Sequence, residues 1–233
     1  MIFESLYSGE YSMNRKSIKL IAVLMSVGLL TAGGAAQADS FALGAKVGTT
    51  GLGVEGTYGL RENVNLRGGL YGFTYSTDVE ETDVDYDADL KLRSAALLAD
   101  WHPFSGGFRL TAGAYYNGNE LTGKARGELD IGDGAEPYQG TLDATIDWRS
   151  FAPYLGIGYG NAIQGGRWSF AFDAGVMFTG SPDVSLRGEL DNGNAQLENE
   201  FREDLRREQE ELQDDLDDFK YYPVLSLGVA YRF

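Results

Sequence analysis

Period-two alternation, repeated along most of this chain, constrains its fold more than any other feature. At the C-terminus Pro223, Leu225, Leu227, Val229, Tyr231 and Phe233 share one face, while Val224, Ser226, Gly228, Ala230 and Arg232 share the other. The same pattern sets Trp168, Phe170, Phe172, Ala174, Val176 and Phe178 against Ser169, Ala171, Asp173, Gly175, Met177 and Thr179. It recurs in Phe108, Leu110, Ala112, Ala114 and Tyr116 against Arg109, Thr111, Gly113, Tyr115 and Asn117. Strands of a soluble sandwich also alternate, but their solvent face is polar and often charged. Here the second face is mostly Gly, Ala, Ser and Thr with an isolated charge, which suits the inside of a narrow barrel whose apolar outside meets lipid.

Eight such segments are predicted, at about 40–48, 51–60, 64–77, 86–102, 108–121, 147–160, 167–180 and 221–233. An even number is what a single-chain bacterial outer-membrane barrel requires, and the richness in Gly and aromatics fits many short strands. The predicted fold is therefore all-β: an eight-stranded antiparallel up-and-down transmembrane β-barrel. Connections at 61–63, 103–107 and 161–166 are short and read as periplasmic turns. Those at 78–89, 120–149 and 181–220 are long and read as extracellular loops. Thr49-Thr50 makes the first outer connection an almost bare hairpin. Tyr58, Trp101, Phe108, Tyr159, Trp168 and Tyr231 fall near the periplasmic ends, as an interfacial girdle would. Two places, Gly68-Gly69 and Leu92 to Ala95, admit a bulge that would shift the register.

The segment ahead of the barrel reads as export machinery. From Met13 the chain has a basic start (Arg15, Lys16, Lys19), an apolar stretch from about Leu20 to Leu30, and an Ala36-Gln37-Ala38 exit. These are the parts of a cleaved secretory signal, with cleavage expected after Ala38. Residues 1–12 contain Glu4 and Glu10 and read as an upstream extension, which leaves 39–233 as the barrel domain. The expected location is the bacterial outer membrane, with membrane lipid and lipopolysaccharide as surroundings. Tyr231 and Phe233 close the chain in the manner of the terminal aromatic signal read by the barrel-assembly machinery.

Charge is distributed unevenly. The full chain of 233 residues carries 35 acids against 19 Lys and Arg, a net charge of −16, which excludes a phosphate-backbone partner such as nucleic acid. The three long connections hold 28 of the acids and 8 of the bases, so they sum to −20. An outer rim of that sign gathers cations within a Debye length of about 8–10 Å. Acidic loops equally keep a surface solvated and hold divalent cations loosely beside lipopolysaccharide. The run Asp83, Asp85, Asp87, Asp89 offers oxygens for such cations but lacks the turn Gly of a dedicated Ca²⁺ loop, so no metal site is expected.

Projected inward, the remaining charges form their own series. Lys46, Glu55, Arg67, Asp100, Arg109, Asp173 and Arg232 face the lumen, and the sixth strand contributes Tyr154 instead. Their signs run plus, minus, plus, minus, plus, none, minus, plus, so neighbours can pair across strands. An unpaired buried charge would cost several kcal/mol. Two readings follow: a permanent polar plug in a barrel filled by side chains, or a gate whose pairs exchange to pass small cations or zwitterions.

The last long connection carries a second period. Leu197, Phe201, Leu205, Leu212, Leu216 and Phe219 lie mostly three, four or seven apart, and Glu198/Arg202 and Arg206/Glu210 add i,i+4 support. An acidic amphipathic helix over 197–219 is predicted at the outer mouth, as a lid, as a partner-binding element or simply solvated. No enzyme is expected. Cysteine is absent, and the single histidine, His102, precedes Pro103 at a periplasmic turn and reads as a turn or interfacial residue. Cofactors are not implied.

The stretches VGTTG at 47–51, YDADL at 86–90, APYLGIG at 152–158, TGSPDV at 179–184 and PVLSLGV at 223–229 resemble those of the CarO-type family of small outer-membrane porins, associated with carbapenem susceptibility and ornithine uptake. The resemblance implies an eight-stranded barrel with a narrow, mildly cation-preferring path for basic amino acids such as ornithine. The third and fourth outer connections depart from the family in sequence and charge. Taken together, the expected function is a porin passing small cationic or zwitterionic solutes. The alternative is a non-conducting structural or interaction barrel serving adhesion or envelope integrity.

Overall fold

The structure is a computed structural model that describes residues 40–80, 84–132, 137–193 and 195–233. The expected signal segment and upstream extension lie outside the described residues, as does Asp83. Eight strands close a ring. They are β1 (Phe41–Gly48), β2 (Gly51–Arg61), β3 (Val64–Glu80), β4 (Val84–Trp101), β5 (Phe108–Asn117), β8 (Phe151–Tyr159), β9 (Trp168–Phe178) and β11 (Tyr221–Arg232). Each pairs antiparallel with the next, β11 returns to β1 with Leu43 opposite Tyr231, and β4 pairs with β5. Closure leaves the ring without an edge, the arrangement by which strands can satisfy their backbone groups within a bilayer.

Side chains sort as the alternation requires. Val54, Leu70, Leu97, Leu155, Phe170, Phe172 and Leu227 stand exposed on the outside, forming an apolar belt, while alternate residues are buried within. Tyr58, Trp101, Tyr159 and Trp168 are exposed near the short turns. Tyr231 meets Trp168 edge-on at 5.1 Å and Phe233 at 5.4 Å. At the first hairpin, Gly51 takes a φ of 96°, a left-handed conformation that glycine adopts without strain.

The register corrects one expectation. β3 and β4 pair without interruption from Val64 opposite Trp101 to Glu80 opposite Asp85, so neither Gly68-Gly69 nor Leu92 to Ala95 carries a bulge. The irregularity lies instead between Gly59 and Arg61, where β2 enters its turn.

The outer connections are also more ordered than long loops. β3 and β4 run on beyond the ring as a hairpin, taking in most of 78–89. The 120–149 connection folds as β6 (Glu120–Leu129) and β7 (Tyr138–Asp147), and part of 181–220 forms β10 (Asp183–Leu190). β4 divides its pairing: Ser94 to Trp101 bond β5 in the ring, and Val84 to Lys91 bond β6 outside it. β6, β7 and β10 then extend the sheet outward.

The predicted helix is α1 (Ala195–Leu216). It is neither solvated on all sides nor laid across the mouth, because Phe201 is buried against Leu129 and Ile131, with Ala125, Tyr138, Leu142, Leu190 and Leu205 around them. Gln213 and Gln209 accept hydrogen bonds from the backbone N–H groups of Val184 and Leu186 at 3.0 and 3.2 Å. The helix thus covers the outer edge of β10, which would otherwise offer unpaired donors. Phe219 falls past the end of α1 and is exposed, so it does not belong to the packed face.

Candidate functional site in the barrel lumen

Six charged side chains from six strands meet in the lumen. Lys46 Nζ lies 2.8 Å from Glu55 Oε2 and 2.5 Å from Asp173 Oδ2. Arg67 holds three acids at once: Asp100 at 2.9 Å through Nε, Asp173 at 3.2 Å through Nη2, and Glu55 at 3.3 Å through Nη1. Arg109 reaches Asp173 at 2.6 Å and Asp100 at 3.7 Å. Three bases face three acids, so the cluster is neutral as a whole. Thr111 and Ser226 donate further hydrogen bonds to Asp100 and Asp173, at 2.6 and 3.4 Å.

Burial makes this arrangement consequential. Arg67 is only 4% exposed and Asp100 only 2%, so neither charge has water to fall back on. Exposed ion pairs contribute about 0–1 kcal/mol, whereas removing one partner of a buried pair costs about 3–5 kcal/mol because the other is left uncompensated. Such a pair is nevertheless often no more stable than a well-packed apolar substitute of the same volume. Filling space alone does not call for this chemistry.

Two of the residues expected here lie elsewhere. Arg232 is the last residue of β11 and donates to the carbonyls of Ile163 and Gly165 at 2.5 and 2.8 Å, so it fastens the 161–166 turn and does not join the cluster. The strand ends there, and the free carbonyls of the turn are nearer than any acid of the cluster. Tyr154 faces inward but belongs to a separate layer. With Tyr71, Tyr115, Met177 and Val224 it forms an apolar core toward the outer side of the ion cluster. Tyr71 and Tyr115 stand 5.9 Å apart between ring centroids, Tyr115 and Tyr154 5.4 Å, the latter edge to face. Tyr115 was already legible as inward-facing from its strand; Tyr71 falls on the same face as Arg67, four residues on.

His102 is a turn residue, but it points inward and not to the membrane interface. It is 1% exposed, its Nδ1 donates to the Gly106 carbonyl at 2.9 Å, and its Nε2 accepts from Asn65 Nδ2 at 3.2 Å. Asn65 also donates to Asn161 Oδ1 at 3.2 Å. Arg109 bonds the Gly160 carbonyl, so the 160–166 turn is held to the lumen wall from several strands.

Between this turn and the ion cluster lies a cavity of about 30 Å³, lined by Lys46, Glu55, Arg67, Asp100, His102 and Arg109 among others. That volume admits a water or two. Two buried layers of side chains, the ion cluster and the tyrosines, thus occupy the lumen. Among the described residues no group of His, Cys, Asp and Glu is placed to hold a metal ion.

No family model matches this sequence, and no curated protein matches it. Solved structures do. The crystal structure of Acinetobacter baumannii CarO2 is similar at 23% identity with a TM-score of 0.56, over 83% of this chain and 98% of that one. Acinetobacter baumannii CarO is similar at 23% identity with a TM-score of 0.54, over 82% of this chain and 97% of that one. The likeness is one of fold, and it agrees with the resemblance read from the sequence motifs: the chain folds as a β-barrel like those of the CarO structures.

Proposed function

We propose that this chain is a small outer-membrane porin that rests closed and passes small cationic or zwitterionic solutes, such as basic amino acids, when the lumen pairs exchange partners. The observation that carries the reading is the sharing within the ion cluster. Lys46 and Arg109 each reach two acids, and Arg67 reaches three. A solute ammonium or guanidinium can therefore take the place of one base on an acid while that base keeps another partner, and no charge need be stranded. The acidic outer connections favour the same sign of solute. Lipid and lipopolysaccharide surround the apolar belt, the acidic face holds divalent cations loosely, and Tyr231 and Phe233 serve as the assembly signal.

A second reading, a non-conducting barrel that presents its outer sheet and helix to other envelope components, is favoured by the buried tyrosine layer packed within the lumen. Uptake of labelled ornithine and arginine into liposomes holding the purified protein separates the two. Uptake above empty liposomes and above that of glutamate supports the porin; uptake equal to empty liposomes leaves the closed barrel.

A further inference from the structure

We propose that Tyr71, Tyr115 and Tyr154 are the seal of the outer lumen, and that the Tyr71 hydroxyl ties this seal to the ion cluster, making it responsive to ammonium and guanidinium solutes. The inference deepens the porin reading and rests on it. The cavity beside the ion cluster is lined by none of the three tyrosines, whose buried rings pack against one another as a second barrier on the outer side of the cluster.

The layer is fitted closely into its walls. A Cβ at Gly53 or Gly69 would overlap the Tyr71 ring, and a Cβ at Gly156 or Gly175 would overlap the Tyr154 hydroxyl. The glycines at these wall positions therefore leave the rings the room they occupy. Tyr71 donates its hydroxyl hydrogen to Glu55 Oε1, while Glu55 Oε2 holds Lys46 and Arg67. One carboxylate thus belongs to both layers.

The chemistry follows from those contacts. Ring faces attract cations through the aromatic quadrupole and offer nothing to an anion. A cation entering between Tyr71 and Tyr115 competes with the phenol for Glu55 Oε1, and success leaves the Tyr71 ring free to turn. A carboxylate solute without a cationic group has no such competitor's position. The seal therefore selects for a cationic head before the ion cluster is reached.

The test uses the full barrel in liposomes with arginine and glutarate uptake as readouts, and native-barrel migration on unheated gels to confirm folding of each variant. Tyr71→Phe removes only the hydroxyl, and Tyr138→Phe, which removes a phenol–carboxylate bond in the outer sheet and not in the lumen, is its control. We expect Tyr71→Phe to raise arginine uptake roughly tenfold, the weight of one hydrogen bond to a charged acceptor, with Tyr138→Phe unchanged and glutarate still excluded. Wild-type uptake of arginine together with an unaltered Tyr71→Phe overturns the inference and leaves the porin reading standing. If wild type passes no arginine, potassium conductance of Tyr115→Ala/Tyr154→Ala decides: conductance upholds the seal while the porin reading falls, and silence overturns the seal as well.

Discussion

Arg109 Nη2 and Asp173 Oδ1 meet at 2.6 Å although their strands, β5 and β9, are separated by β8. The residue of β8 paired with both is Gly158, opposite Arg109 on one side and Asp173 on the other. Its missing side chain opens the way between them, and a Cβ there would stand 2.9 Å from Arg109 Nε. Gly158→Val is therefore expected to displace the guanidinium and to destabilise the barrel by about 1–3 kcal/mol, the usual range for overpacking. Heat-induced loss of the native gel mobility in detergent measures it. A variant as heat-resistant as wild type would contradict the role given to Gly158.

Arg67 is the hub of the cluster, because it alone touches all three acids. Arg67→Met keeps much of the volume but leaves Lys46 and Arg109 to balance Glu55, Asp100 and Asp173. A loss of about 3–5 kcal/mol is expected, with a partial recovery on combining it with Asp100→Asn, since the pair is coupled. Denaturant titration of the folded barrel in micelles reports both. Additive losses would mean that the two side chains do not act together.

The free edge of the outer sheet, at β10, is covered by α1. Replacing Gln209 and Gln213 by Ala removes the acceptors for the Val184 and Leu186 amides. Hydrogen exchange at those two amides is expected to quicken while the ring strands keep their protection. Unchanged exchange at Val184 and Leu186 would show that the helix does not guard this edge.

Tyr138 provides a pH test at a distance from the lumen. Its hydroxyl donates to Asp204 Oδ2 at 2.7 Å, and that bond, with some burial and the charge of Asp204, pushes the phenol up to about 12. Because the protonated phenol is the donor, the contribution to folding is fully present below the ordinary phenol value near ~10 and is lost as pH rises through about 12. Tyrosine carbon NMR in micelles should show Tyr138 titrating near that upper value, and Asp204→Asn should bring it down. Titration near the ordinary value in the unmodified protein would contradict the bond.

Much of the ring was legible because its strands have one apolar and one small face, so period and facing are read together. Lys46, Glu55, Arg67, Asp100, Arg109 and Asp173 all project inward as their strands' alternation requires. The outer sheet was harder to see for a physical reason. β6, β7 and β10 also alternate, with Leu121, Ala125 and Leu129 on one face of β6 and Glu120, Lys124 and Glu128 on the other. Their charged faces stand in water and raise the acid count, which imitates a loop. Period two across 120–129, 138–147 and 183–190 was the signal that finds them. What no alternation conveys is where a long side chain ends: Arg232 bends to turn carbonyls, and Tyr71 reaches down to Glu55.

The central claim is that the shared acids of the lumen hold a cation-selective path shut. Planar-bilayer recordings of wild type and Asp173→Ala under a potassium chloride gradient test it most directly. Removing Asp173 frees Lys46 and Arg109 from a common partner and leaves the cluster with an excess positive charge. The account predicts rare cation-selective openings in wild type, and more frequent openings with the reversal potential shifted toward anion preference in Asp173→Ala. Equal open probability and an unshifted reversal potential in the two proteins would contradict it.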